Sequence, residues 1–238
     1  MSFASDPSEL IRSDKPVTLL GAGRVDRRAL QAALKRAPFL VAADGGANKA
    51  FAEGLAPEFV IGDMDSIGPE VLADLSRERL IRVAEQETTD FEKCLIRIVA
   101  PYILAVGFSG DRQDHVLAVW NALARNPSRR CLVIGSQDVV FLAPRRLRLD
   151  LHRDTRVSLF PIAPVRGRSK GLEWPIDGID FAPDGRVGTS NRATGPVELD
   201  FDSERMLVLL PPECLDAAIR ALATTDHGAS SLRNKVSR

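Results

Sequence analysis

Several features are missing from this 238-residue chain. It carries no net charge, since 32 Lys and Arg balance 32 Asp and Glu. A neutral chain offers no global field for nucleic acid or for a membrane surface. No apolar run approaches the ~18 residues that a membrane span needs. The first residues, MSFASDPSELIRSDKP, are polar and acidic, without the apolar stretch of a secretory leader. Cysteine is scarce: Cys94, Cys131 and Cys214 are far apart and odd in number. They form no metal or redox motif and suit core positions in a reducing cytoplasm. Internal repeats and low-complexity segments are absent. So is the phosphate loop GxxxxGK[ST], and GAGRVD (21–26) lacks the third glycine of a dinucleotide fingerprint.

What is present is an ordinary globular balance, 45% hydrophobic and 27% charged, in a length that fits one large domain or two modest ones. The first half alternates strand and helix patterns. PVTLLGAG, FLVAADGG, EFVIGDMD, LIRVA, YILAVGFSG and RCLVIGS read as strands. Between them VDRRALQAALKRA, NKAFAEGL, GPEVLADLSRE, TTDFEKCLIRIVA and DHVLAVWNALAR read as helices. Thr near the start of the fourth and Pro69 near the start of the third supply helix-start signals. The expected fold is α/β: a Rossmann-like, mostly parallel sheet over 1–137 with helices on both faces. From about residue 138 the runs shorten: VVFLAP, LRLDL, RVSLFPI, GLEWPI, GRVGTSN, PVELDF and RMLVLLP. Their spacing predicts a C-terminal all-β sandwich over 138–238, closed by a helix at ECLDAAIRALATT and a frayed polar tail.

The chemistry-bearing residues gather at strand ends, where open α/β sheets bind ligands. Acids stand at four strand-to-helix junctions: Asp44 in AADGGAN, Asp63 and Asp65 in GDMDS, Asp90 in ETTDFEK and Asp114 in GDRQDH. Glycines that let backbone approach a ligand stand beside three of them: Gly45 and Gly46, Gly62, and Gly107 and Gly110. Clustered carboxylates call for a countercharge, and Mg²⁺ takes one or two carboxylates plus substrate phosphates. If the backbone of GDMD is extended, Asp63 and Asp65 point the same way and can hold one metal or bridge two. Each acid taken alone also suits a helix N-cap or a turn. Thr88 and Thr89 open a helix whose N-terminus favours phosphate, and one of them suits the N-cap. Arg112 can reach a phosphate or remain a solvated loop charge. Lys93 can do the same, although a surface position is its simpler reading.

The series ADGGAN (43–48), IGDMDSI (61–67), TTDFEKCL (88–95), GDRQDH (110–115), GLEWPI (171–176) and TSNR (189–192) resembles the thiamine pyrophosphokinase family in order and spacing. The resemblance implies an α/β domain followed by a β-sandwich, in a cytoplasmic homodimer with active sites between subunits. It implies transfer of the pyrophosphoryl group of ATP to the hydroxyethyl oxygen of thiamine, with Mg²⁺. By the same carry-over Asp44, Asp63, Asp65 and Asp90 hold metal and phosphate, and Gly45, Thr88, Thr89, Lys93 and Arg112 serve the nucleotide. Asp114, His115, Trp174, Ser190 and Asn191 match positions on the thiamine side. Asp63, Asp65, Asp90 and Asp114 form the implied catalytic set, with either Asp90 or Asp114 as the base. The chain departs from the family pattern at Asp111, which adds negative charge beside the expected phosphate site, and at Gln113, where an apolar residue is usual. Without the family, Trp174 suits a sandwich core, and Thr189-Ser190-Asn191 a hairpin turn.

Three rival readings share parts of this pattern. A pyrophosphokinase acting on 6-hydroxymethyl-dihydropterin would use the acidic rim but has no need of GLEWPI and TSNR. A non-catalytic thiamine or nucleotide regulator would have lost a carboxylate. A metal-dependent phosphatase would carry its D-x-D after the first strand, whereas here it follows the third.

Overall fold

The computed structural model describes residues 11–110 and 112–224. The first ten residues, the Asp111 departure and the polar tail from residue 225 lie outside the described residues. A two-residue strand, β1 (Ile11–Arg12), opens the chain. An alternating series follows: β2 (Val17–Leu20), α1 (Arg27–Arg36), β3 (Phe39–Ala43), α2 (Gly46–Ala52), β4 (Phe59–Gly62), α3 (Pro69–Asp74), β5 (Leu80–Arg82) and α4 (Asp90–Arg97). Then come β6 (Ile98–Val99), β7 (Ile103–Val106), α5 (Gln113–Arg125) and β8 (Cys131–Ile134). The larger strands lie in the order β8-β7-β2-β3-β4-β5, and every pair is parallel. The chain winds outward from β2 to β5, then returns to β7 on the other side of β2. The order therefore reverses between β2 and β7, which opens a crevice beyond their carboxyl ends.

Both faces of this sheet are covered, as its apolar strands require. Leu20 packs with Leu30 and Ala33 of α1, whereas Val17 and Leu19 belong to the cluster with Leu95 of α4 and Val119 of α5. Successive residues of a strand point to opposite faces, so the single run Val-Thr-Leu-Leu feeds two cores. Cys94, Cys131 and Cys214 are free thiols buried in this packing.

Several boundaries differ from expectation. Helix α2 begins at Gly46, ahead of NKAFAEGL; Gly46 lies against the Leu20 carbonyl, where a Cβ would come within 2.1 Å of the oxygen, so only glycine fits there. GPEVLADLSRE splits into α3 and a short 3₁₀ turn at Arg77–Arg79. Helix α4 stops at Arg97 because Ile98 and Val99 turn extended and pair with β1.

The second half contains β9 (Val139–Leu142), β10 (Arg146–Leu149), β11 (Arg156–Pro161), β12 (Val165–Leu172), β13 (Asp180–Phe181), β14 (Gly188–Phe201), β15 (Met206–Leu210) and α6 (Leu215–Ala223). Its pairings are antiparallel. GLEWPI is not a strand of its own: only Gly171 and Leu172 belong to β12, which starts at Val165. The charged residues of VRGRSK hid that strand from a hydrophobicity reading; Arg168 and Lys170 face Asp200 and Glu198 of β14 across the ladder. GRVGTSN and PVELDF merge into β14, which pairs with β11 near its start and with β10 and β12 near its end.

The sheet does not stop where the pattern changes near residue 137. Strand β8 pairs antiparallel with β9, and the ladder continues through β15, β11 and β14, so that among the described residues thirteen strands join one mixed sheet. One core cluster runs from Leu104 and Leu132 to Phe141, Leu159 and Phe201. Arg36 of α1 also grips Asp216 of α6 with two bonds of 2.5 and 2.7 Å. Among the described residues no helix is long and apolar enough to cross a membrane.

Candidate active site

The acidic rim is built by turns rather than by extended chain. Beyond β3, Asp44 turns left-handed (φ 42°), donates its N–H to the Ile61 carbonyl and accepts the Met64 N–H at 3.0 Å. Met64 is also left-handed (φ 70°). This corrects the extended reading of GDMD: Asp63 and Asp65 converge because Met64 reverses the chain between them. Asp63 Oδ1 in turn accepts the Asp65 N–H at 3.3 Å. One carboxylate oxygen each of Asp44, Asp63 and Asp65 lies within 4.8 Å of the others. Gly62 makes the approach possible, since a Cβ there would stand 2.6 Å from that of Asp44. Asn48 ties the turn to α2 by donating to the Ser66 carbonyl and accepting the Gly68 N–H.

None of the five rim acids is an N-cap. Helices α2, α3, α4 and α5 are capped by Gly45, Gly68, Thr89 and Arg112. Thr89 accepts the Glu92 N–H, which leaves Asp90 in the first turn of α4, where the helix dipole favours an anion. Thr88 instead donates its hydroxyl to Glu85, whose carboxylate also accepts the Glu87 and Thr88 N–H groups. Burial opposes ionisation of Glu85, but these donors outweigh it and hold its carboxyl below the usual range.

Lys93 is the residue that the surface reading placed wrongly. Its side chain is only 2% exposed, with Nζ 3.4 Å from Asp90 and 3.8 Å from Asp63. A cation this buried needs partners, and the two acids supply them. The Gln86 amide, 2.9 Å from Asp63 Oδ2, leads the effects that hold Asp63 below the usual carboxylate range, and Lys93 adds to them. Partial burial pushes Asp90 up; Lys93 opposes this, and the charges of Asp44 and Asp63 reinforce it.

These elements frame a cleft of about 950 Å³ at the switch between β2 and β7. Asp63, Asp65, Thr88, Thr89, Asp90 and Lys93 line it, as do Arg112 and His115. Arg24, Lys49 and Gln86 line it as well and were missed by sequence reasoning. Gln86 stood unremarked between LIRVA and the Thr-Thr-Asp motif, and Arg24 sat inside a glycine motif read only for its glycines. Asp44 lies beneath the wall, 2% exposed. Asp114 is not in the lining; it is exposed and engaged with Arg112, Nη2 to Oδ2 at 2.6 Å. That bond holds the Asp114 carboxyl below the usual range.

Trp174, Ser190 and Asn191 do not line this cleft. Trp174 is 51% exposed, not a core residue, and Arg192 lies over its ring at 5.8 Å. Thr189–Asn191 form no hairpin turn; they lie in β14, at a bulge where Ser190 has φ 62°. The Asn191 amide is largely committed. Oδ1 accepts the Trp174 and Arg192 N–H groups, and Nδ2 donates to the Trp174 carbonyl at 2.7 Å.

Comparisons with known proteins agree with this layout. Residues 30–134 match the family model of the thiamin pyrophosphokinase catalytic domain, and 146–206 match that of the thiamin pyrophosphokinase vitamin B1 binding domain. Thiamine pyrophosphokinase 1 of Oryza sativa subsp. japonica is 29% identical over 191 residues, covering 66% of this chain and 72% of the relative. Thiamine pyrophosphokinase 1 of Arabidopsis thaliana is 28% identical with the same coverage. The solved thiamin pyrophosphokinase from Candida albicans shares the fold with a TM-score of 0.71 at 18% identity, covering 89% of this chain and 95% of that one. That from Geobacillus thermodenitrificans gives 0.68 at 21%, covering 82% and 96%. Neither family model speaks for a pterin substrate. With both of them matched in order over most of its length, the chain belongs to the thiamin pyrophosphokinase family.

Proposed function

We propose that the protein transfers the pyrophosphoryl group of ATP to the hydroxyethyl oxygen of thiamine, giving thiamine diphosphate and AMP. The observation that carries this reading is the convergence of Asp44, Asp63 and Asp65 within 4.8 Å at the wall of the cleft. Three hard oxygen donors, Asp63 among them already facing the buried Lys93, fit Mg²⁺, and these three residues would hold it. Bound there, Mg²⁺ would neutralise charge on the phosphate oxygens. Lys93, with Arg24, Lys49 and Arg112 on the lining, supplies positive charge along the path of a triphosphate. Attack forms a bond from the thiamine oxygen to the β-phosphorus and breaks the bond from that phosphorus to the α,β-bridging oxygen, which leaves with AMP. The alcohol proton passes to a carboxylate. Asp90 lines the cleft whereas Asp114 does not, which supports Asp90 in that role.

Trp174 offers an exposed indole for the cationic thiazolium. Asn191 serves by holding the Trp174 backbone. We assign the nucleotide to residues 1–137 and thiamine to residues 138–238. Since Trp174 does not line the cleft of its own chain, we propose a homodimer in which each cleft is completed by the partner. Three buried thiols without a disulfide suit the cytoplasm. The test is chromatography of products from protein, ATP, Mg²⁺ and thiamine. Thiamine diphosphate with one equivalent of AMP is expected; ADP with thiamine monophosphate would overturn transfer of the pyrophosphoryl group.

A further inference from the structure

We infer that Ser158 is a positioning residue for thiamine, acting through Ser190; this rests on the reading of Ser190 as a substrate contact. Strand β11 pairs Val157 with Asn191 and Leu159 with Gly188, so Ser158 alone faces both Thr189 and Ser190. Two residues against one is a β-bulge, and a bulge takes a backbone group out of the ladder and re-aims a side chain. The N–H that would be orphaned here is that of Ser190. It donates to the Ser158 hydroxyl at 3.0 Å. Without this acceptor, Ser190 has no local reason to keep φ 62°, a conformation that costs an L-residue energy.

The acceptor is itself immobile. Ser158 is 6% exposed, and its strand is paired on both sides, with β14 and, through Leu209, with β15. Arg156, two residues earlier on the same face, reaches Oγ at 3.5 Å and is anchored to Asp138 at 2.5 Å. A rigid strand paired on both sides thus fixes the backbone from which the exposed Ser190 presents its hydroxyl. Ser158 touches no substrate in this scheme; its effect passes wholly through Ser190.

The test is steady-state kinetics on the full-length protein with Ser158→Ala and Ser158→Cys, the second keeping a γ heteroatom while weakening the acceptor. Loss of one hydrogen bond in positioning is expected to raise KM for thiamine about five- to ten-fold. KM for ATP should stay within about two-fold, with kcat little changed. Wild-type KM for thiamine in folded variants overturns the inference. So does a parallel rise of both KM values with a lower Tm, which marks a purely structural role. If the Ala variant does not fold, the Cys variant decides alone. Ser190→Ala separates the two readings. An unchanged thiamine KM there removes Ser190 from the site and the inference with it. A raised one, with none in the Ser158 variants, overturns the inference only.

Discussion

The Asp44 carboxylate and the Met64 backbone hold each other in place, by a 3.0 Å hydrogen bond between two residues that are both left-handed. Each conformation costs about 1–2 kcal/mol on its own. The pair persists because the ends of β3 and β4 are locked side by side, Ala43 against Ile61. Backbone strain of this kind concentrates at functional sites, and here it aims three carboxylates at one point.

Gly62→Ala is expected to break that arrangement. Its Cβ would stand 2.6 Å from the Asp44 Cβ and 3.0 Å from Oδ1. Overpacking should cost about 1–3 kcal/mol, a fall of several degrees in Tm, together with most of the activity. Calorimetry and a turnover assay check it, and wild-type values in both would remove the close approach from the account.

Asp63→Asn is expected to lower kcat by about 10²-fold or more while leaving the fold intact. Asp63 sits at a turn and carries no core packing, so the fold should persist, with Tm lowered by only a few degrees because Lys93 keeps Asp90 as a partner. A rate near wild type would take Asp63 out of the metal set.

Lys93→Met tests the buried cation. Asp63 and Asp90 would then face each other without countercharge. The expected loss is about 1–3 kcal/mol, below that of a fully enclosed pair because Asp90 is half exposed. Added Mg²⁺ should raise Tm more in the variant than in the wild type. Equal shifts would mean that Lys93 and the cation do not share the same acids.

Trp174→Ala and Asn191→Ala are expected to raise KM for thiamine and spare KM for ATP. They should differ in stability. Trp174 is exposed, whereas Asn191 is buried and its loss leaves two N–H groups and a carbonyl without their partner. Only Asn191→Ala should lower Tm. A thiamine KM that moves in neither variant would detach this strand from substrate binding.

The Arg36–Asp216 bridge gives a pH signature. The Arg36 bond holds Asp216 below the usual carboxylate range. A depressed folded pKa stabilises above the unfolded value, about 3.9, and that contribution is lost as pH falls through the folded one. With Asp216 55% exposed, Asp216→Asn should cost only about 0.5 kcal/mol at pH 7. The difference from wild type in urea denaturation should shrink as pH drops below about 4. A constant difference down to pH 2 would mean that the bridge is not its source.

Much of the α/β half was legible in the residues. Apolar runs ending in Gly and Asp gave the parallel strands, and Pro69 and a Thr marked helix starts. The antiparallel half was harder to read. Strand β12 alternates Arg and Lys with small residues, so its charges are matched only across the ladder, by Glu198 and Asp200. Nothing within VRGRSK announces that partner. Lys93 was misplaced for the same reason: a lysine on a helix reads as surface until its two acids are found on another strand's end and on its own first turn.

Local pattern alone determined which residues stand at strand ends, because strand alternation and turn chemistry are short-range and written in neighbouring side chains. It was enough to name the acids and the two threonines; the Trp and Ser-Asn motifs stood out only through the family resemblance. Tertiary structure decided what each of them does. Left-handed Met64 brings Asp63 and Asp65 together, Thr89 rather than an acid caps α4, and Asn191 is committed to Trp174. These are contacts between segments distant in sequence, and their energies depend on burial and on partners that no local window contains.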